Sequence, residues 1–110
     1  MAKFILLYRG NATPPDQMSE EQGSGVMAQW GAWMEKNGPG IVDAGTPFGG
    51  RTSVGGDGAE QPPANLNGYT IVEAADLEAA KAFCDAHPFL HGTGAEFAVD
   101  IFELIDIPMP

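Results

Sequence analysis

Four stretches of the chain carry the apolar spacing of β-strands, and two carry a helical stripe. Residues 3–9, Lys-Phe-Ile-Leu-Leu-Tyr-Arg, set Phe4, Leu6 and Tyr8 on one face and Ile5 and Leu7 on the other. Residues 41–46 predict a short strand, residues 69–74 a strand that is apolar on both faces, and residues 97–105 a last one. Between the first two, Ser19-Glu-Glu-Gln22 matches a capping box, with acidic groups in the first turn where the macrodipole favours them. Val26 and Met27, Trp30, Trp33 and Met34, and Asn37 then fall on one helical face until Gly38-Pro39-Gly40 stops the helix. Gly23, Gly25 and Gly31 each weaken it by about 1 kcal/mol relative to alanine, so packing has to hold it. Asp76 caps a second helix whose buried stripe is Leu77, Ala80, Phe83 and Cys84. Pro88 ends that helix, because a residue before proline avoids the α region.

The connections carry their own signals. Residues 10–18 form a loop in which Pro14 and Pro15 block strand continuation. After residue 46 comes a glycine-rich stretch whose Asp57-Gly58 pair suits a hairpin, and Asn67-Gly68 reads as a further turn. The Pro-Met-Pro tail cannot extend a sheet. The order β-α-β-(hairpin)-β-α-β predicts one α+β domain over residues 1–110, a ferredoxin-like sandwich with an antiparallel sheet. Two helices cover only one sheet face. The other would carry apolar side chains into water, which points to homodimerisation sheet to sheet, closing an α/β barrel with a pocket between sheet and helix.

Charge narrows the partners. Fifteen acidic residues against five basic ones give a net charge of −10, and Lys3, Arg9, Lys36, Arg51 and Lys81 are scattered. Such a surface repels phosphate backbones and anionic membranes, so neither nucleic acid nor membrane is an expected partner. A hydrophobic fraction of 44% excludes a disordered chain. The short apolar run at the amino terminus is neither a signal segment nor a span, and the expected location is cytoplasmic. Cys84 is the sole cysteine and sits in an apolar helical stretch, which favours a packed thiol.

Few groups suit catalysis. His87 stands at a helix exit, where it serves either as a general acid or base or as a cap on the last helix carbonyls. His91 follows in a loop, but no recognised ligand spacing accompanies it with Asp85 or Glu73, so no metal is expected. Asp43 lies inside a predicted strand, where aspartate is unfavoured. It either faces solvent at an edge or enters a pocket and pairs with His87. Glu73 shares a face with Tyr69 and Ile71, and Glu103 with Val99 and Ile101. Tyr8, Trp30, Trp33, Phe48 and Phe89, with Tyr69, are candidates to line an apolar pocket, the alternative being that the tryptophans belong to the core. Tyr8 and Tyr69 carry hydroxyls that need partners when buried. The Gly49-Gly50 and Gly55-Gly56 pairs match no phosphate loop, and no nucleophile elbow, Cys-His pair or nucleotide fingerprint occurs.

The opening Lys-Phe-Ile-Leu-Leu-Tyr-Arg-Gly, the Gly45-Thr-Pro47 turn, the Asp57-Gly58 hairpin, Gly68-Tyr-Thr-Ile-Val-Glu73 and His87-Pro-Phe89 together resemble the YCII-related (DGPF) family along nearly the whole chain. The resemblance implies a dimeric α/β barrel related to the muconolactone-isomerase architecture, which also hosts cofactor-free oxygenases and dehydrochlorinase-like enzymes. Some relatives carry a histidine on the first helix that pairs with an aspartate. Here that helix reads Met27-Ala-Gln-Trp-Gly-Ala-Trp33, which leaves His87 as the main candidate. The expected activity is cofactor-free proton transfer, an isomerisation or elimination on a small organic molecule, with His87 as acid or base and Asp43 or Tyr69 assisting. The alternative is a non-catalytic module that binds a small ligand or regulates a partner.

Overall fold

The computed structural model describes residues 1–10, 19–85, 87–90 and 97–108. The loop expected over residues 10–18 lies outside them apart from Gly10, and so does His91. Strand β1 spans Ala2–Arg9, helix α1 Glu20–Asn37 and strand β2 Ile41–Asp43. A small hairpin of β3 (Ser53–Val54) and β4 (Glu60–Gln61) follows, then strand β5 (Leu66–Ala74), helix α2 (Leu77–Lys81) and strand β6 (Ala98–Leu104). The main sheet runs β2-β5-β1-β6, every neighbouring pair antiparallel. This is the ferredoxin-like α+β arrangement expected from the element order.

Register divides the sheet into two chemically different faces. Phe4 lies opposite Val72 on β5, and Leu6 lies opposite Thr70 on one side and Ile101 on the other. These side chains, with Tyr8 and Ala74, pack beneath the helices against Trp33 and Ala80 to form the core. The alternate set is Ile5 beside Ile71 and Phe102, and Leu7 beside Tyr69 and Asp100. Among the described residues no helix lies over that set, and Phe102 remains 56% exposed.

The first helix follows its sequence signals closely. Ser19 accepts from the Gln22 backbone, the Gln22 side chain returns the bond, and Gly38–Gly40 closes the helix as a single tight turn. Only Trp33 on α1 is fully buried; Met27, expected on its inner face, is 74% exposed. The second helix is shorter than the run up to Pro88 suggests. It stops at Lys81, passes through a 3₁₀ turn over Ala82–Cys84 and goes extended at Asp85. Leu77, expected in the buried stripe, is 54% exposed, while on α2 Ala80 alone meets the core fully. Burial also raises the pKa of the half-buried Cys84 thiol, in keeping with a packed rather than reactive cysteine.

Two loop expectations are corrected. Strand β2 ends at Asp43 rather than at residue 46, because Gly45 takes φ 81°, a conformation no strand continues through. Asn67-Gly68 is not a turn but the start of β5, where the Asn67 amide reaches back to the carbonyl of Gly10 at 2.7 Å. The Asp57-Gly58 turn does form: Gly58 has φ 85°, and Asp57 accepts from the Ala59 backbone.

The open sheet face leads to a measurable expectation about assembly. Ile5, Leu7, Ile71 and Phe102 form an apolar surface, flanked at one end by the Arg9–Asp100 pair at 3.0 Å and at the other by the exposed Lys3 and Glu73. A surface that is apolar at its centre and carries both signs of charge at its rim is suited to a second copy of itself. Light scattering at micromolar concentration should give twice the chain mass, and Phe102→Glu should give the monomer. A wild-type monomer would remove the barrel.

Candidate active site

The sequence-selected residues fall into two groups that the sheet separates. On the helix-covered side, Tyr8, Trp30, Trp33, His87 and Phe89 make one aromatic cluster. The imidazole centroid lies 4.4 Å from Trp33, 5.0 Å from Trp30 and 5.1 Å from Tyr8, and Phe89 lies 5.2 Å from Tyr8. Trp33 is core, its indole N–H donating to the Phe83 carbonyl at 2.8 Å, whereas Trp30 is only partly buried at the margin. His87 itself is 1% exposed.

Its hydrogen bonds define the tautomer. The Phe89 backbone N–H donates to Nδ1 at 3.1 Å, so Nδ1 carries a lone pair and Nε2 carries the proton. Nε2–H therefore donates to the Tyr8 hydroxyl at 3.1 Å. Tyr8 in turn gives its proton to Thr70 Oγ1 at 2.7 Å, and Thr70 donates to the Ala44 carbonyl at 3.0 Å. Burial pushes the His87 pKa down to about 4 and the Tyr8 phenol up to about 12, so both groups stay neutral over the physiological range. The imidazole does not cap the helix end; it enters the cluster, and its own backbone N–H bonds the Cys84 carbonyl instead.

On the other side and at the sheet edge lies a second group. The Tyr69 hydroxyl donates to Asp43 Oδ2 at 2.9 Å, while Asp43 Oδ1 accepts the Gly45 backbone N–H at 2.9 Å. The bonded carboxylate raises the Tyr69 pKa, since removing the phenolic proton would break the bond and set two negative charges together. Phe48 stacks on Tyr69 with centroids 6.0 Å apart and also walls an open cleft of about 360 Å³ with Pro47, Arg51, Pro63 and Leu66. The Arg51 guanidinium is spent on the carbonyls of Leu66, Phe48 and Gly49, which shapes the cleft floor.

Asp43 therefore takes the exposed edge and does not pair with His87. Tyr69 joins Asp43, and Phe48 joins them rather than the aromatic cluster. The residue that sequence reasoning missed is Thr70, which links the two groups. Its signal was a polar side chain in phase with Gly68, Val72 and Ala74 on the inward face of β5. Among the described residues no cluster of three or more His, Cys, Asp or Glu side chains is arranged to hold a metal ion, and no helix is long and apolar enough to cross a membrane.

Sheet order, the two covering helices and the paired acidic and phenolic groups at the sheet edge place the chain among small α+β sandwiches of ferredoxin-like architecture. The model of the YCII-related domain matches residues 6–105, and the chain belongs to that family. Among solved structures it is similar to 5-chloro-2-hydroxyhydroquinone dehydrochlorinase from Burkholderia phenoliruptrix AC1100, in complex with 2,5-dihydroxybenzoquinone. That similarity has a TM-score of 0.55 at 17% identity over 91% of this chain and 90% of that one, a likeness of fold. No curated protein matches the chain.

Proposed function

We propose that the protein is a cofactor-free acid–base enzyme that isomerises or eliminates on a small organic molecule at the Asp43–Tyr69 pair. The observation that carries this reading is an exposed carboxylate with one oxygen anchored by Gly45 and the other held by a phenol, beside an apolar-walled cleft. In it, the Tyr69 hydroxyl turns from Asp43 Oδ2 to the substrate oxygen on which negative charge develops, and the freed Asp43 oxygen takes the proton from an activated carbon. The electron pair of the broken C–H bond forms the new double bond. In an elimination the leaving group departs with its own pair, so no external oxidant or reductant enters. His87, enclosed and fully bonded, does not touch the substrate in this reading.

The dehydrochlorinase of similar fold suggests the first probes. Chloride release from 5-chloro-2-hydroxyhydroquinone and binding of 2,5-dihydroxybenzoquinone should both be measured on wild type and Asp43→Asn. Asp43→Asn should lower turnover by about 10²-fold, the scale of a lost general base, with binding largely kept. Binding without turnover in either protein would favour the ligand-binding module instead. An Asp43→Asn variant with wild-type turnover would eliminate the assignment.

A further inference from the structure

We propose that His87 is a positioning residue whose imidazole, acting through Tyr8 and Thr70, fixes the turn that presents Asp43 to Tyr69. The inference rests on the Asp43–Tyr69 reading of the site and adds a part to it.

The direction of each proton along the row decides what it holds. Tyr8 and Thr70 each own one hydroxyl proton, and either could donate to the other across their 2.7 Å contact. His87 settles the matter. Because Phe89 N–H occupies Nδ1, the Nε2 proton must face Tyr8, whose oxygen then accepts and whose own proton goes to Thr70. Thr70, having accepted, sends its single proton to the Ala44 carbonyl at 3.0 Å. Every donor in the row is used once and every acceptor is met, with no buried polar side-chain atom unpaired among the described residues. With the imidazole gone, Thr70 is free to donate to Tyr8 instead, and Ala44 loses its anchor.

Ala44 matters because of its neighbours. It separates Asp43, whose carboxylate bonds Tyr69, from Gly45, whose Cα lies against the Tyr69 backbone so tightly that a Cβ would sit 1.6 Å from the Tyr69 carbonyl oxygen. The turn is therefore held at three points: Gly45 on the β5 backbone, Asp43 on the Gly45 N–H, and Ala44 on Thr70. Only the third reaches through the sheet to the buried side. The row thus ties the interior cluster to an edge carboxylate on the opposite face.

The chain has only two tyrosines, so their ionisation reads the pair directly. In Tyr8→Phe only Tyr69 remains, and an ultraviolet titration follows it alone. Thr70→Val and His87→Leu should each move the Tyr69 ionisation down towards that of a free tyrosine, whereas Tyr8→Phe, which leaves Thr70 no acceptor but the Ala44 carbonyl, should keep it raised. Thr70→Ser and His87→Gln, which keep a donor in place, should restore it. Asp43→Asn serves as the reference: it must lower Tyr69 by itself, and if it does not, the pair, and with it the reading of the site, fails. If Asp43→Asn lowers Tyr69 while folded Thr70→Val and His87→Leu leave it at the wild-type value, the positioning role is overturned and the site stands. Should one of these variants not fold, the remaining ones decide by the same measure.

Discussion

Gly45→Ala should lose about 2–5 kcal/mol of stability, the sum of roughly 1–2 for holding an L-residue in the left-handed region and 1–3 for a forced overlap. The overlap is with backbone rather than with a yielding side chain: the new Cβ would meet the Tyr69 carbonyl oxygen and carbon at 1.6 and 2.6 Å. Gly58 provides an internal comparison. It too has positive φ, 85°, yet a Cβ there meets nothing within 4 Å, so Gly58→Ala should cost only the conformational part, about 1–2 kcal/mol. Urea denaturation of both variants separates the terms. A Gly45→Ala midpoint no lower than that of Gly58→Ala would show that the turn is not pressed onto β5.

Acid should weaken the fold through His87 by about 3 kcal/mol between roughly pH 7 and pH 4. The folded-state pKa of about 4 lies below the ordinary 6.5 because burial disfavours the imidazolium. Above the unfolded value both states hold a neutral ring and stability is level. As pH falls from there, the unfolded chain takes up a proton that the folded chain refuses, so folding loses ground until the folded pKa is reached. Protonation would also put a hydrogen on Nδ1, facing the Phe89 N–H that now donates to it. Carboxylates titrate in the same range, so the useful quantity is the difference between wild type and His87→Gln. The two stability curves should converge or diverge by about that amount across the window, and parallel curves would show an imidazole that takes up its proton freely.

Much of the architecture was readable along the chain because its signals are local. The capping box at Ser19, the aspartate cap at Asp76 and the alternation of Phe4, Leu6 and Tyr8 each need only a few neighbouring residues, and each appears in the fold. What local signals could not convey is where elements stop under tertiary load. Helix α2 tightens at Ala82 rather than running on to Pro88, and β2 yields at Gly45 because β5 presses on it. The candidate site was named residue by residue, but its partition was hidden. His87, Asp43 and Tyr69 look like one constellation in sequence, whereas strand parity puts Tyr69 and Thr70, adjacent in the chain, on opposite faces of the sheet. Only the observed register of β2 on β5, with Asp43 beside Ile71 after a bulge, assigns Asp43 to the side of Tyr69.

The long first helix is fastened at one end. Trp33 is its sole fully buried residue and Met34 and Trp30 pack near it, while residues 19–22, 24 and 25 are all exposed and Gly23, Gly25 and Gly31 would meet nothing on gaining a Cβ. Opening free energy along α1 should therefore be graded: the carboxyl-terminal turns rise and fall with the global unfolding of the domain, and the amino-terminal turns, held by little more than the Ser19 box, fray independently of it. Amide protons on one continuous helix would thus belong to two different populations, with the boundary near Trp30, the tryptophan that stands edge-on to both Tyr8 and His87.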